Sequence, residues 1–213
     1  MGAVSVFFIE PTDRERRSLR RYRSSEKAKC SASGYGYCNA EVPIGEGPAG
    51  SSSRSWSTRS EALALDSRWP ISCACGYEFA DDDQWQLFTR HIYRRPDTGE
   101  EMTLHDAPVG ACWNAFWMAE FRAARPRPCF GIGDDGRSLV VKLPGNHDWM
   151  IDERASNCTM PDDHTHKCWV RIGRPEDGTL HVDKNGHTCA AGAGSIMVPG
   201  YHGFLHHGHL TDC

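Results

Sequence analysis

The stretch "PVGACWNAFWMAEFRAARPRP", residues 108–128, decides how the chain is read. Trp113, Phe116, Trp117 and Phe121 recur at helical spacing, and Pro126 cannot continue a helix, so the spacing predicts a helix ending there. An aromatic stripe of this kind is core material before it is a ligand platform. Outward from it the pattern changes. "DDGRSLVVKLP", residues 134–144, reads as a turn and a strand. "KCWVRIG" and "TLHVDKNG" flank the turn "RPEDG", and "GSIMV" and "GFLHHGHL" add further strands. Upstream, "QWQLFTRHIYRR" and "EEMTLHD" flank "PDTG" as a hairpin, and "SRWPISCACGYEF", residues 67–79, reads as a short strand entering a tight cysteine turn. "VSVFFIE", residues 4–10, reads as a first strand. One substantial helix among antiparallel strands implies an α+β fold, zinc-stabilised on the argument below.

With 213 residues the chain fits a single domain, 1–213, able to bury a core. The Gly, Ser and Pro of "EVPIGEGPAGSSSRSWSTRSEA" mark residues 41–62 as a loop or linker. A net charge of −4 gives no general reason to expect a nucleic-acid partner. Charge is uneven, however, with six arginines between Arg14 and Arg23. Thr12 and Glu15 have capping-box spacing, so these arginines are expected on a surface helix, mostly solvated, with Leu19 and Tyr22 inward. The sharper reading is a patch for phosphates or an acidic partner. No segment has the apolar length to span a membrane, and "MGAVSVFFIE" lacks the basic start of a secretory signal. Use in the cytoplasm is the expectation, where ten cysteines are thiols, ligands or catalysts more often than disulfides.

The cysteines fall into two groups. Cys30 and Cys38 ("CSASGYGYC") and Cys73 and Cys75 ("CAC") supply four soft donors, suited to tetrahedral Zn²⁺. Gly34, Gly36 and Gly76 let the backbone curl toward a metal, which would close a loop of about forty residues. Their spacing differs from the usual knuckle. "NCTMPDDHTHKCW" carries the second group, Cys158, His164, His166 and Cys168, with His187 and Cys189 downstream in "NGHTC". In an extended segment His166 and Cys168 share a face, as do His187 and Cys189. Cys158, His166, Cys168 and Cys189 are therefore expected as a second metal set. The same geometry allows catalysis, with Cys168 or Cys189 as nucleophile and His166 or His187 as base. Ser195, beside a glycine-rich turn, is a further candidate nucleophile, and His147, Asp148 and Asp152 are candidate metallohydrolase groups. The four histidines of "YHGFLHHGHLTDC" read as an adventitious metal binder.

"FIEPTDRERRSLRRY", "ASNCT", "HKCWVRIG" and "HVDKNGHTCAAGAGSI" resemble an uncharacterised protein family of phages infecting actinobacteria. "CACG", "SLVVKLP" and "CWVRIG" are similar, in that order, to a bacterial domain found beside ubiquitin-like conjugation genes and suspected of metal binding or peptidase work. That domain has a Ser-His pair before the aromatic of its last strand. With Trp169 on that aromatic, His166 and Lys167 occupy the two places, which removes the expected His. The cysteine sets, the charge balance and the phage resemblance together point to a zinc-binding accessory or interaction protein acting in the host cytoplasm on an unidentified protein partner, without specific nucleic acid or membrane. A thiol- or zinc-dependent hydrolase acting on a ubiquitin-like protein is the alternative, and a virion component the third.

Overall fold

A computed structural model of the chain describes residues 2–23, 29–33, 35–50, 53–118, 131–155, 157–160, 162, 163, 166–184 and 194–213. Strand accounts for 46% of it and helix for 6%, and no helix among the described residues reaches seven residues. The α+β expectation is therefore corrected: the protein is mostly antiparallel β-sheet.

The correction is clearest at 108–128. Ala111–Asn114 is a strand inside a four-stranded sheet, and only 116–118 turn helically after it. Phe121 and Pro126 lie outside the described residues. Ala111, Cys112 and Trp113 are all buried. A strand covered on both faces reads as a continuous apolar run, which periodicity alone cannot separate from a helix. Gly110 fixes the outcome. It sits at φ 93°, and a Cβ there would stand 2.4 Å from the Ser5 carbonyl oxygen. Its carbonyl accepts from Phe7 N–H at 3.0 Å and its N–H donates to the Lys142 carbonyl at 2.9 Å. The chain thus turns sharply and enters the sheet between Phe7–Phe8, paired in parallel, and Leu139–Leu143, paired antiparallel.

The arginine-rich segment is corrected too. Glu10–Tyr22 is a 13-residue strand, not a surface helix. Thr12 does not cap. Its hydroxyl donates across to the Ile92 carbonyl at 2.8 Å and accepts from Arg14 N–H. Leu19 is fully buried, as expected, but so are Arg20 and Arg21, at 8% and 4% exposure. Their charge is placed over aromatic rings. The Arg20 guanidinium lies about 5 Å from the Tyr22, Tyr35 and Phe88 rings, and that of Arg21 lies 3.6 Å from the Trp85 centroid. Part of the expected loop 41–62 is also strand. Asn39–Pro48 pairs antiparallel with Glu10–Tyr22, and a bulge shifts the register between Arg17 and Ser18.

The chain, read above as one domain, divides into two compact units. The first takes residues 1–10, 94–101 and 105–213. It holds the four-stranded sheet and a six-stranded sheet ordered Val4–Ser5, His209–Asp212, Tyr201–His206, His181–Lys184, Trp169–Ile172, with Ile196–Val198 also on Tyr201–His206. Val141, Leu143 and Ile151 meet Val182, Leu205 and Leu210 in one apolar core. The second unit takes residues 11–93 and 102–104. Its five-stranded sheet is ordered Asn39–Pro48, Glu10–Tyr22, Gln84–Arg94, Arg54–Ser55, with Glu101–Thr103 closing the expected "PDTG" hairpin. Leu19, Ala62, Trp69 and Trp85 pack there, and a separate cluster forms around Cys30, Cys38, Cys73 and Phe79.

Candidate metal centres

The second unit brings Cys30, Cys38, Cys73 and Cys75 together. Cys30 ends the short strand Lys29–Cys30, which pairs with Gly36–Tyr37, and Cys38 follows at once. Cys73 and Cys75 ride on a tight turn closed by Cys73 N–H to the Tyr77 carbonyl at 2.8 Å and Gly76 N–H to the Cys73 carbonyl at 2.9 Å. Gly76 adopts φ 88°, which a side chain would strain. The two loops interleave. Cys30 Sγ lies 3.8 Å from Cys73 Sγ, and Cys38 Sγ lies 3.6 Å from Cys75 Sγ. All four sulfurs stand within 4.8 Å of one another. A disulfide needs about 2.05 Å. A tetrahedron with metal–sulfur bonds of about 2.3 Å has edges of about 3.8 Å. The observed separations match that tetrahedron and exclude sulfur–sulfur bonds.

The surroundings act on the four thiols unequally. Cys30, Cys38 and Cys73 are buried, and Cys75 is exposed. Burial alone raises the Cys30 pKa, but the N–H groups of Ser33 and Ala32 and the Cys75 and Cys73 thiols outweigh it, bringing it down to about 7. Burial and the neighbouring Cys75 push Cys38 up to about 12. Four sulfurs so close cannot all ionise without a cation among them.

The first unit brings Cys158, His166 and Cys168 together, with donor atoms within 4.8 Å of one another. Cys168 Sγ lies 3.4 Å from His166 Nε2. Arg154 gathers the loop, donating to the Met160 and Asp163 carbonyls and, at 3.2 Å, to Cys158 Sγ. Burial opposes ionisation of Cys158, yet the Met160 N–H and the Arg154 guanidinium outweigh it and lower the pKa. Cys189, expected as the fourth donor, and His187 and His164 lie outside the described residues.

The other candidates are placed differently. Asp148 pairs with Lys142, and Asp152 pairs with Arg171, so the His147, Asp148, Asp152 set does not assemble around one point. Ser195 Oγ lies 3.3 Å from His202 Nε2. Sequence reasoning missed one grouping, His181, Asp183 and His206. The alternation "HVD" was its local signal, but the third member comes from another strand.

Comparison of the chain with protein-family models, curated proteins and solved structures returns no match. Among the described residues, no helix is long and apolar enough to cross a membrane.

Proposed function

We propose that the protein is a zinc-stabilised accessory or interaction protein, in which metal holds β-sheet surfaces in place for a protein partner. The observation that carries this reading is the Cys30, Cys38, Cys73, Cys75 cluster, with sulfur separations of 3.6 and 3.8 Å at tetrahedral spacing. Four protein sulfurs leave a metal no open position, which is the arrangement of structural rather than catalytic zinc. All-sulfur coordination favours Zn²⁺ over magnesium or calcium.

Burial supports the same reading against a thiol hydrolase. Cys168 is 1% exposed and His166 5% exposed, so this thiol–imidazole pair has no surface through which a substrate carbonyl would approach. The buried arginines argue against a phosphate-binding patch at Arg20 and Arg21. Arg20 donates to Asn39 and Tyr37, Arg21 to the Ala80 carbonyl, and Arg14 pairs with Glu46, so these charges are engaged within the fold. The phage origin rests on the sequence resemblance.

Elemental analysis of protein purified without added metal tests the reading. Zinc should be bound, and Cys75→Ser should remove one equivalent while Cys158→Ser leaves that equivalent in place. Metal-free protein in which Cys30, Cys38 and Cys73 react freely with a thiol reagent before any denaturant would overturn it.

A further inference from the structure

The outer face of the six-stranded sheet carries a donor set that neither cysteine cluster uses. Along Tyr201–His206, Tyr201, Gly203 and Leu205 are buried, so Phe204 and His206 point outward. The antiparallel register Val182↔Leu205 sets His181 across from His206, on that same outer face. Asp183 stands two residues from His181 and shares the face.

The side chains converge. One donor atom from each of His181, Asp183 and His206 lies within 4.8 Å of the others. The His181 and His206 rings stack at 4.4 Å between centroids, 16° from parallel, and the His207 ring lies 4.6 Å from that of His181. Asp183 Oδ1 accepts from Lys184 N–H at 2.7 Å. It rests against Gly194, where a Cβ would stand only 1.8 Å away, so the carboxylate is seated against bare backbone.

A second observation points to a ligand. His181 Nδ1 and His206 Nε2 are buried and have no hydrogen-bond partner. Buried polar atoms are ordinarily satisfied, and orphans call for an unseen partner. With one nitrogen of each ring and one Asp183 oxygen within 4.8 Å of one another, a cation is the partner that fits this donor set.

We propose that His181, Asp183 and His206 form a third metal site, for one divalent transition-metal ion of the Zn²⁺ or Ni²⁺ class. Imidazole nitrogen selects these ions over calcium and magnesium, which take oxygen donors. Three protein ligands on an outer sheet face leave coordination positions for water or an exchanging ligand. This ion is therefore exchangeable, unlike one enclosed by the four cysteines, and its binding is independent of them.

The test uses full-length protein with its cysteine sites zinc-filled and excess metal removed. Zn²⁺ is then titrated calorimetrically. Wild type should take up one further equivalent, and His206→Ala and Asp183→Asn should each weaken it by at least roughly tenfold. His202→Ala, which removes an exposed histidine outside the set, should change it less than about twofold. Imidazole ¹H–¹⁵N spectra of the wild type give a second readout that requires no variant, in which His181 and His206 ring nitrogens should shift on titration. The proposal is overturned if no further equivalent binds. It is equally overturned if His202→Ala weakens binding as much as His206→Ala, the mark of an adventitious histidine-rich surface, or if the shifting rings are other histidines.

Discussion

Removing metal from the four-cysteine cluster should loosen the second unit and leave the first folded. The magnitude follows from chain closure. Cys30 and Cys73 are 43 positions apart, and Cys38 and Cys75 are 37 apart. An ion holding both pairs cross-links the unfolded chain across those spans. For a cross-link closing a loop of that length, the lost chain entropy corresponds to about 4 kcal/mol. A domain has about 5–15 kcal/mol of net stability, so this is a large share. For a unit of this size, each kcal/mol moves the midpoint by about 4–8 °C, and metal loss should lower its melting by about 15–30 °C. The assay is calorimetry with and without a chelator, joined to amide hydrogen exchange. Exchange protection should fall along Glu10–Tyr22 and Asn39–Pro48, and persist along Leu139–Leu143, in the first unit. Cys38→Ser should reproduce the chelator's effect in the second unit. If chelation left the second unit's protection unchanged, the tetrahedral reading of the sulfurs would be refuted.

Three further outcomes are expected. Arg21→Ala should destabilise by about 2–3 kcal/mol in urea unfolding, because the guanidinium over Trp85 and its bond to the Ala80 carbonyl are both lost from a buried position; a solvated arginine would give almost nothing. Gly110→Ala should cost about 2 kcal/mol or more, since its Cβ meets the Ser5 carbonyl oxygen at φ 93°, whereas Gly136→Ala, at φ 75° with open space around it, should cost only about 1 kcal/mol; equal effects would remove the argument for the turn before Ala111. Donation from Arg171 holds the Asp135 carboxyl well below the ordinary carboxylate range, so its contribution is present above about pH 4 and is lost as pH falls toward the folded-state value. Asp135→Asn should therefore be less stable than wild type at pH 7, and the gap between the two urea midpoints should narrow progressively as pH falls below about 4; parallel curves would exclude the pair as a source of acid sensitivity.

The parts of the fold legible in the sequence were those set by neighbours close along the chain. "LVVKL" became Leu139–Leu143, buried at every position, and the turns "PDTG" and "RPEDG" sit in the hairpins expected of them. The cysteine turn at 73–77 was legible for the same reason. What failed depended on partners distant in sequence. A buried arginine is unreadable until Phe88 and Trp85, more than sixty residues away, arrive beside Arg20 and Arg21. Trp113 and Phe116 are three apart, which a helix and a strand entering a helical turn satisfy equally well. Only the sheet on both sides of Ala111–Asn114 decides between them.

The unusual cysteine spacing has a physical cause of the same kind. Short knuckle spacing arises when one tight turn offers two sulfurs to a metal. Here only Cys73 and Cys75 share such a turn. Cys30 closes one strand of a two-stranded ribbon and Cys38 follows the other, so seven residues are needed to carry the chain out and back before the second sulfur faces the first. The donors are then arranged as interleaved pairs, Cys30 against Cys73 and Cys38 against Cys75, with each contact running between the two loops. An ion in that position ties ribbon to turn, instead of stapling one turn to itself. Tying distant segments is what makes it matter to stability, and it is also why no local motif announces it.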